Sequence, residues 1–192
     1  MGAAFGLAAA VALAAACVVL LSGAAYGAQS DSGLGAALAE CESAAGAPMP
    51  GASALGACDF ALQNGGLDDA ARAAVLANRG VIAMARGDAD GAVRDLEMAD
   101  ELELGDGGIL LNLAAALIKA GRHEDGAEAA REVIALGDAR EADAWFNLAV
   151  AEESQGAYAA AYSAYVKATE ADPDRALFAA QPARFLDHQP AG

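Results

Sequence analysis

Two histidines, three cysteines and a surplus of carboxylates are the side chains of this 192-residue chain from which metal, covalent or acid–base chemistry could be built. Neither His123 nor His188 has a cysteine or a carboxylate at metal-ligand spacing, and both stand in polar or terminal stretches, which predicts exposed loop histidines. Asp88-Ala89-Asp90-Gly91 opens like a calcium loop, but Val93 and Ala99 occupy the places where such a loop needs glycine and glutamate. The stretch reads instead as a turn between two helices. Gly105-Asp106-Gly107-Gly108 lacks the lysine and hydroxyl residue of a phosphate-binding loop, and no serine stands in a nucleophile elbow. These residues predict no enzyme, no metal site and no cofactor, and they turn attention to binding.

Cys41 and Cys58 lie 17 residues apart with no histidine near, a spacing unlike a zinc knuckle. Leu34–Ala45 and Ser53–Gln63 read as helices, with Pro48 and Pro50 as the break between them. A disulfide would tie that hairpin together; two small buried thiols are the alternative. The choice depends on compartment. Residues 1–30 carry no charged side chain, and an apolar run from Leu7 to Leu21 ends in Ser22, Gly23, Ala24 and Ala25. That resembles a secretory signal peptide, cleaved after Ala25 or Gly27, and predicts a periplasmic or secreted protein. An uncleaved inner-membrane anchor facing the periplasm and a buried soluble helix are the competing readings of residues 1–28. Cys17 is followed by apolar Val18–Leu21, which argues against lipidation there.

Stepping along the remainder, Asn78, Asn112 and Asn147 open the same register of small and bulky apolar residues, 34 and then 35 residues apart. Leu76, Leu110 and Trp145 stand two residues before them, and Gly87, Gly121 and Gly156 nine after. Leu96, Ala130 and Tyr165, then Ala99, Val133 and Ala168, complete the pattern. The units are 73–106, 107–140 and 142–175, with one extra residue near Glu141. A period of this length predicts stacked helix-turn-helix units, and an alanine-rich chain poor in β-branched residues agrees. Small residues at positions 8, 20 and 27 of each unit would let paired helices approach closely. Glycine between the helices suits a left-handed turn.

The third unit carries Trp145, Leu148-Ala149, Ala161, Tyr165, Ala168 and Pro173, and the first Gly80, Ala92, Leu96 and Ala99. In this the chain resembles the tetratricopeptide repeat family. The resemblance implies an all-α, right-handed α-solenoid, here with residues 31–66 as an N-terminal capping hairpin and 176–192 as a C-terminal cap and tail. Phe178, Phe185 and Leu186 are expected to cover the last unit.

The resemblance also implies a non-catalytic scaffold that binds a peptide or protein partner on its concave face. Transferred residue by residue, the family's groove positions fall on Val81 and Met84, on Leu111, Ala115 and Ile118, and on Asp143, Phe146, Val150 and Glu153. Such a groove would be shallow and mostly apolar, turning acidic at the third unit. The family's clamp for acidic tails is missing its basic residues, since Ala77, Val81, Asp143 and Asn147 stand there. A membrane-tethered assembly factor with the same repeats is the alternative function.

Charge narrows the partners further. The chain carries 27 acidic against 11 basic residues, a net charge of −16, all of it after Ser30. Such a surface repels nucleic acid and anionic lipid, so membrane contact is expected only through residues 1–28. One polar pair stands out against the repeat. Arg79 and Asp95 occupy positions that are Leu113 with Ala129, and Leu148 with Ala164, in the other units, which predicts an ion pair between the helices of the first.

Overall fold

The computed structural model describes residues 32–64, 66–137 and 139–186. The expected leader and the tail from His188 lie outside them. All regular structure among the described residues is helical: α1 (Ser32–Ala45), α2 (Ala54–Asn64), α3 (Asp69–Ala85), α4 (Ala89–Leu102), α5 (Gly107–Lys119), α6 (His123–Leu136), α7 (Glu141–Ser154), α8 (Tyr158–Ala171), α9 (Ala176–Ala179) and α10 (Gln181–Leu186). None of these helices is long and apolar enough to cross a membrane.

Helices pair in sequence order, α3 with α4, α5 with α6 and α7 with α8, and each pair stacks on the one before through α4 with α5 and α6 with α7. The result is an α-solenoid. Gly87, Gly121 and Gly156 take φ values of +90°, +81° and +79° in the turn inside each pair, where a side chain would be strained. The extra residue near Glu141 is absorbed as the first residue of α7. One boundary differs from the sequence reading. The first repeat helix starts four residues ahead of Ala73, because Asp68 caps it by accepting from the Ala71 N–H at 2.8 Å.

Close approach depends on the small residues. A Cβ on Gly80 would lie 2.9 Å from Leu96 Cγ and 3.2 Å from the Ala92 carbonyl oxygen; one on Gly126 would lie 2.7 Å from Ile118 Cγ1. Ala92, Ala99, Ala114, Ala130, Ala149 and Ala161 are all fully buried along the same seams. The spine of large residues is Leu96, Val133 and Tyr165, each 0–2% exposed.

The N-terminal hairpin packs both its helices against α3. Cys41 and Cys58 are joined by a disulfide with Cα atoms 5.0 Å apart, both buried in a cluster with Leu38, Val75, Val81 and Ile82. Bond and packing therefore act together in closing the stack.

Arg79 and Asp95 pair as their positions predict. The guanidinium donates from Nε to Asp95 Oδ2 at 2.8 Å and from Nη2 to Oδ1 at 2.6 Å, a two-pronged bond between α3 and α4. Nη1 donates to Asp59 Oδ1 of α2 at 2.6 Å, which ties the hairpin to the same arginine. The Asp95 bond, then the Asp59 bond, holds the guanidinium further above its usual range against the opposing cost of burial.

Candidate partner-binding surface

The expected groove residues separate into two groups. Val81, Met84, Leu111, Ala115, Ile118, Phe146 and Val150 are only 3–9% exposed. These side chains, expected to line a shallow and mostly apolar groove, fill the seams between neighbouring pairs. Val81 packs among the residues of the N-terminal hairpin, and Leu111 among Leu110, Val133 and Ala144 of the second and third pairs. Met84, Ala115, Ile118, Phe146 and Val150 belong to the main core. Alanine-rich helices approach so closely that few side chains of this size are left uncovered.

Asp143 and Glu153 form the second group, and both are engaged. Arg175 Nη1 donates to Asp143 Oδ1, and Arg184 Nη2 donates to Glu153 Oε2 at 3.0 Å. The Tyr165 hydroxyl donates to the same Glu153 oxygen at 2.8 Å. Burial raises the Asp143 carboxyl above the usual aspartate range, with Arg175 pulling it down and Asp172 adding a smaller upward push. Burial and then Glu153 push the Tyr165 hydroxyl above the usual phenol range. Both acids are thus paired with arginines of the chain's own C-terminal segment.

That segment takes the place of a further repeat helix. Arg140 stands at the N-cap of α7 and Arg175 at the N-cap of α9. The Arg140 guanidinium lies about where a Gly108 side chain would begin, 3.4 Å from that Cβ position, and Arg175 bonds Asp143, the equivalent residue one unit on. Phe178 is fully buried, like Ile109 and Ala144 at the corresponding position of α5 and α7. Its ring lies 5.1 Å from that of Phe146, which in turn meets Tyr165 at 5.6 Å. Phe185 stands 5.8 Å from Tyr165 and 6.1 Å from Tyr162. The expected covering role of Phe178 and Phe185 is what the structure places there. Ala180 separates the four-residue α9 from the six-residue α10, in which Pro182, lacking an N–H, is the second residue.

An open cleft of about 740 Å³ lies between the second and third pairs, at the turn end of α5 and α7. Ile118, Lys119 and His123 form one side; Glu153, Ser154, Gln155, Gly156 and Tyr158 form the other. Tyr158 is 62% exposed at the rim. The histidine differs from its sequence reading: His123 opens α6, is half-buried, and its Nδ1 is buried with no hydrogen-bond partner. Its polar neighbours Arg122 and Glu124 suggested an exposed loop. Of the expected site residues the cleft brings Ile118 and Glu153 together; Lys119 and Ser154 follow them directly in the chain, while His123 and Tyr158 were not among the expected site residues.

Among the described residues no group of three histidines, cysteines or carboxylates could hold a metal ion. The geometry offers a recess with one cation, one carboxylate, an imidazole and an exposed phenol. Residues 142–175 match the family model of the tetratricopeptide repeat, the span of α7, α8 and the turn between them. No curated protein matches the chain.

Proposed function

With a tetratricopeptide unit at 142–175 as premise, we propose that this protein is a non-catalytic scaffold that binds a segment of a partner protein. Repeats of this family generally mediate protein–protein interactions. The observation that carries the reading is the cleft between the second and third pairs, where Ile118 and Glu153 meet Lys119, His123 and Tyr158 on an open surface. An extended segment laid across it would find an apolar floor and polar rim groups within reach.

The site of action in this reading is an oxidising compartment, periplasmic or extracellular. The Cys41–Cys58 disulfide supports it, as does the uncharged run over residues 1–30. Retention of that run as an anchor would make the protein a tethered assembly factor with the same repeats. N-terminal sequencing of protein purified from its own cells separates the two: a start between Tyr26 and Gln29 excludes the tether.

Binding at the cleft is tested with a photo-crosslinking amino acid placed in living cells at Tyr158, and in a parallel chain at the still more exposed Met49 of the N-terminal hairpin. A discrete adduct from position 158 alone is the expected result, and His123→Ala should reduce its yield. Equal labelling from both positions, or none at 158, would remove the cleft as the binding surface.

A further inference from the structure

We infer that the end face of the third repeat is a receptor for a basic–aromatic segment of a partner protein, and that residues 175–186 of this chain are its resident, displaceable occupant. The inference rests on the scaffold reading above and names the partner's chemistry.

The first support is an asymmetry among the repeats. Groove positions that hold Ala74 and Met84 in the first unit, and Gly108 and Ile118 in the second, hold Asp143 and Glu153 in the third. The two acids are the ones met by arginines of the C-terminal segment, through Arg175 and Arg184. Between those two ion pairs the aromatic side chains of the segment stand against Phe146 and Tyr165. The contact is therefore one of arginine, two intervening residues and phenylalanine, followed by a second arginine–phenylalanine pair. Charge-assisted bonds and ring contacts of this kind belong to the side chains and transfer to any segment that presents them in the same order.

The second support is how the occupant is held. Its helices span four and six residues and are separated at Ala180, lengths at which a helix does not sustain itself and depends on what it packs against. Their packing runs mainly to α8. The paired repeats behind them are held to one another through α4 with α5 and α6 with α7, and the segment adds Phe178 to the core they form.

The third support links this face to the cleft. Glu153 lines the cleft and is also the acceptor for Arg184. A partner that draws on Glu153 from the cleft competes directly with Arg184, so entry there loosens the segment and uncovers the aromatic face. A net charge of −16 favours the approach of a basic competitor over an acidic one.

The test uses the full chain and a labelled peptide with the sequence of residues 174–186, read by fluorescence anisotropy alongside hydrogen exchange of the chain's own C-terminal segment. In Arg175→Glu/Arg184→Glu the receptor residues are intact and the tethered competitor is weakened. Faster exchange over 175–186, with peptide binding about tenfold tighter or more than to the unaltered chain, is expected because a tethered competitor acts at millimolar effective concentration. A peptide with both arginines replaced by glutamate should not bind. Faster exchange without peptide binding, or unchanged exchange, would each overturn the inference. Should the double variant lose helical content, Arg184→Gln carries both readouts, since that side chain is 44% exposed and leaves Phe178 in place. Self-association of the variant in light scattering, with no peptide bound, would identify a second copy as the occupant and refute a partner segment. If the peptide fails while the Tyr158 adduct still forms, this inference falls and the scaffold reading stands.

Discussion

Arg79 shows how much of a polar contact can be read from a repeat. Its pairing with Asp95 was legible because both interrupt an apolar register at facing positions; the Asp59 contact was not, because it comes from a hairpin outside the register. The three groups are partly open, with side-chain exposures of 26%, 12% and 47% for Arg79, Asp95 and Asp59. Removing one partner leaves a charge among apolar neighbours, so Asp95→Ala should lower stability by about 2 kcal/mol, discounted from a fully buried pair for solvent screening. Arg79→Met with Asp95→Leu should lose less, and equal losses in urea unfolding would refute the pairing as a coupled unit. Tyr165 gives a pH dependence. Its raised pKa means the folded chain keeps the phenolic proton after the unfolded chain has released it. The stability it contributes is full below the ordinary tyrosine range, about pH 10, and declines as pH rises through and beyond it. Melting temperatures measured from neutral to alkaline pH should fall less steeply in Tyr165→Phe than in the unaltered chain.

Between helices, stability depends on what is missing from side chains as much as on what is present. Gly80→Ala would push a methyl group against Leu96 Cγ and the Ala92 carbonyl, and Gly126→Ala one against Ile118. Each should cost about 1–3 kcal/mol by overpacking a seam with backbone on one side. Gly87→Ala tests a different mechanism, since nothing lies within 4 Å of the added carbon but φ is +90°; about 1 kcal/mol of backbone strain is expected. Denaturant midpoints of the three variants would separate crowding from strain, because a large-to-small change at Leu96 can relieve only the Gly80 variant. The small residues that make these approaches possible stood out at positions 8 and 20 of the period. The covering residues Phe178 and Phe185 were likewise readable as large apolar side chains beyond the last unit, whereas the full burial of Phe178 required the folded end of the stack.

Taken whole, the molecule is a stack closed at both ends by different means, a disulfide-bonded hairpin at one and a short ion-paired segment at the other. Opening the loop between Cys41 and Cys58 should remove about 3 kcal/mol by the chain-entropy relation for a loop of this size. Since Arg79, Val81 and Asp59 join the hairpin to the first repeat, the effect should be regional. Hydrogen exchange of Cys41→Ala/Cys58→Ala should accelerate in α1, α2 and α3 while α7 and α8 keep their protection. Uniform acceleration would mean that the stack unfolds as one unit, with no separable cap. The surface ion pairs that bridge units, Arg122 with Glu97 and Arg131 with Glu152, lie about half-exposed on the arginine side and contribute little to this coupling.

The periodic spacing of small and large residues determined the helical pairs, their order, the glycine turns and the Arg79–Asp95 contact, because each of those follows from which face of a helix a residue occupies. Composition and spacing left the two cysteines open between bond and thiols; the approach of α1 to α2 decided it. Depth was also a tertiary matter. A period places Val81, Leu111 and Phe146 on one side of their helices, but only the distance between neighbouring alanine-rich helices decides whether that side is a groove or a filled seam. The occupation of Asp143 and Glu153 by residues 31 or 32 positions further along arises from contacts between segments that no local pattern connects.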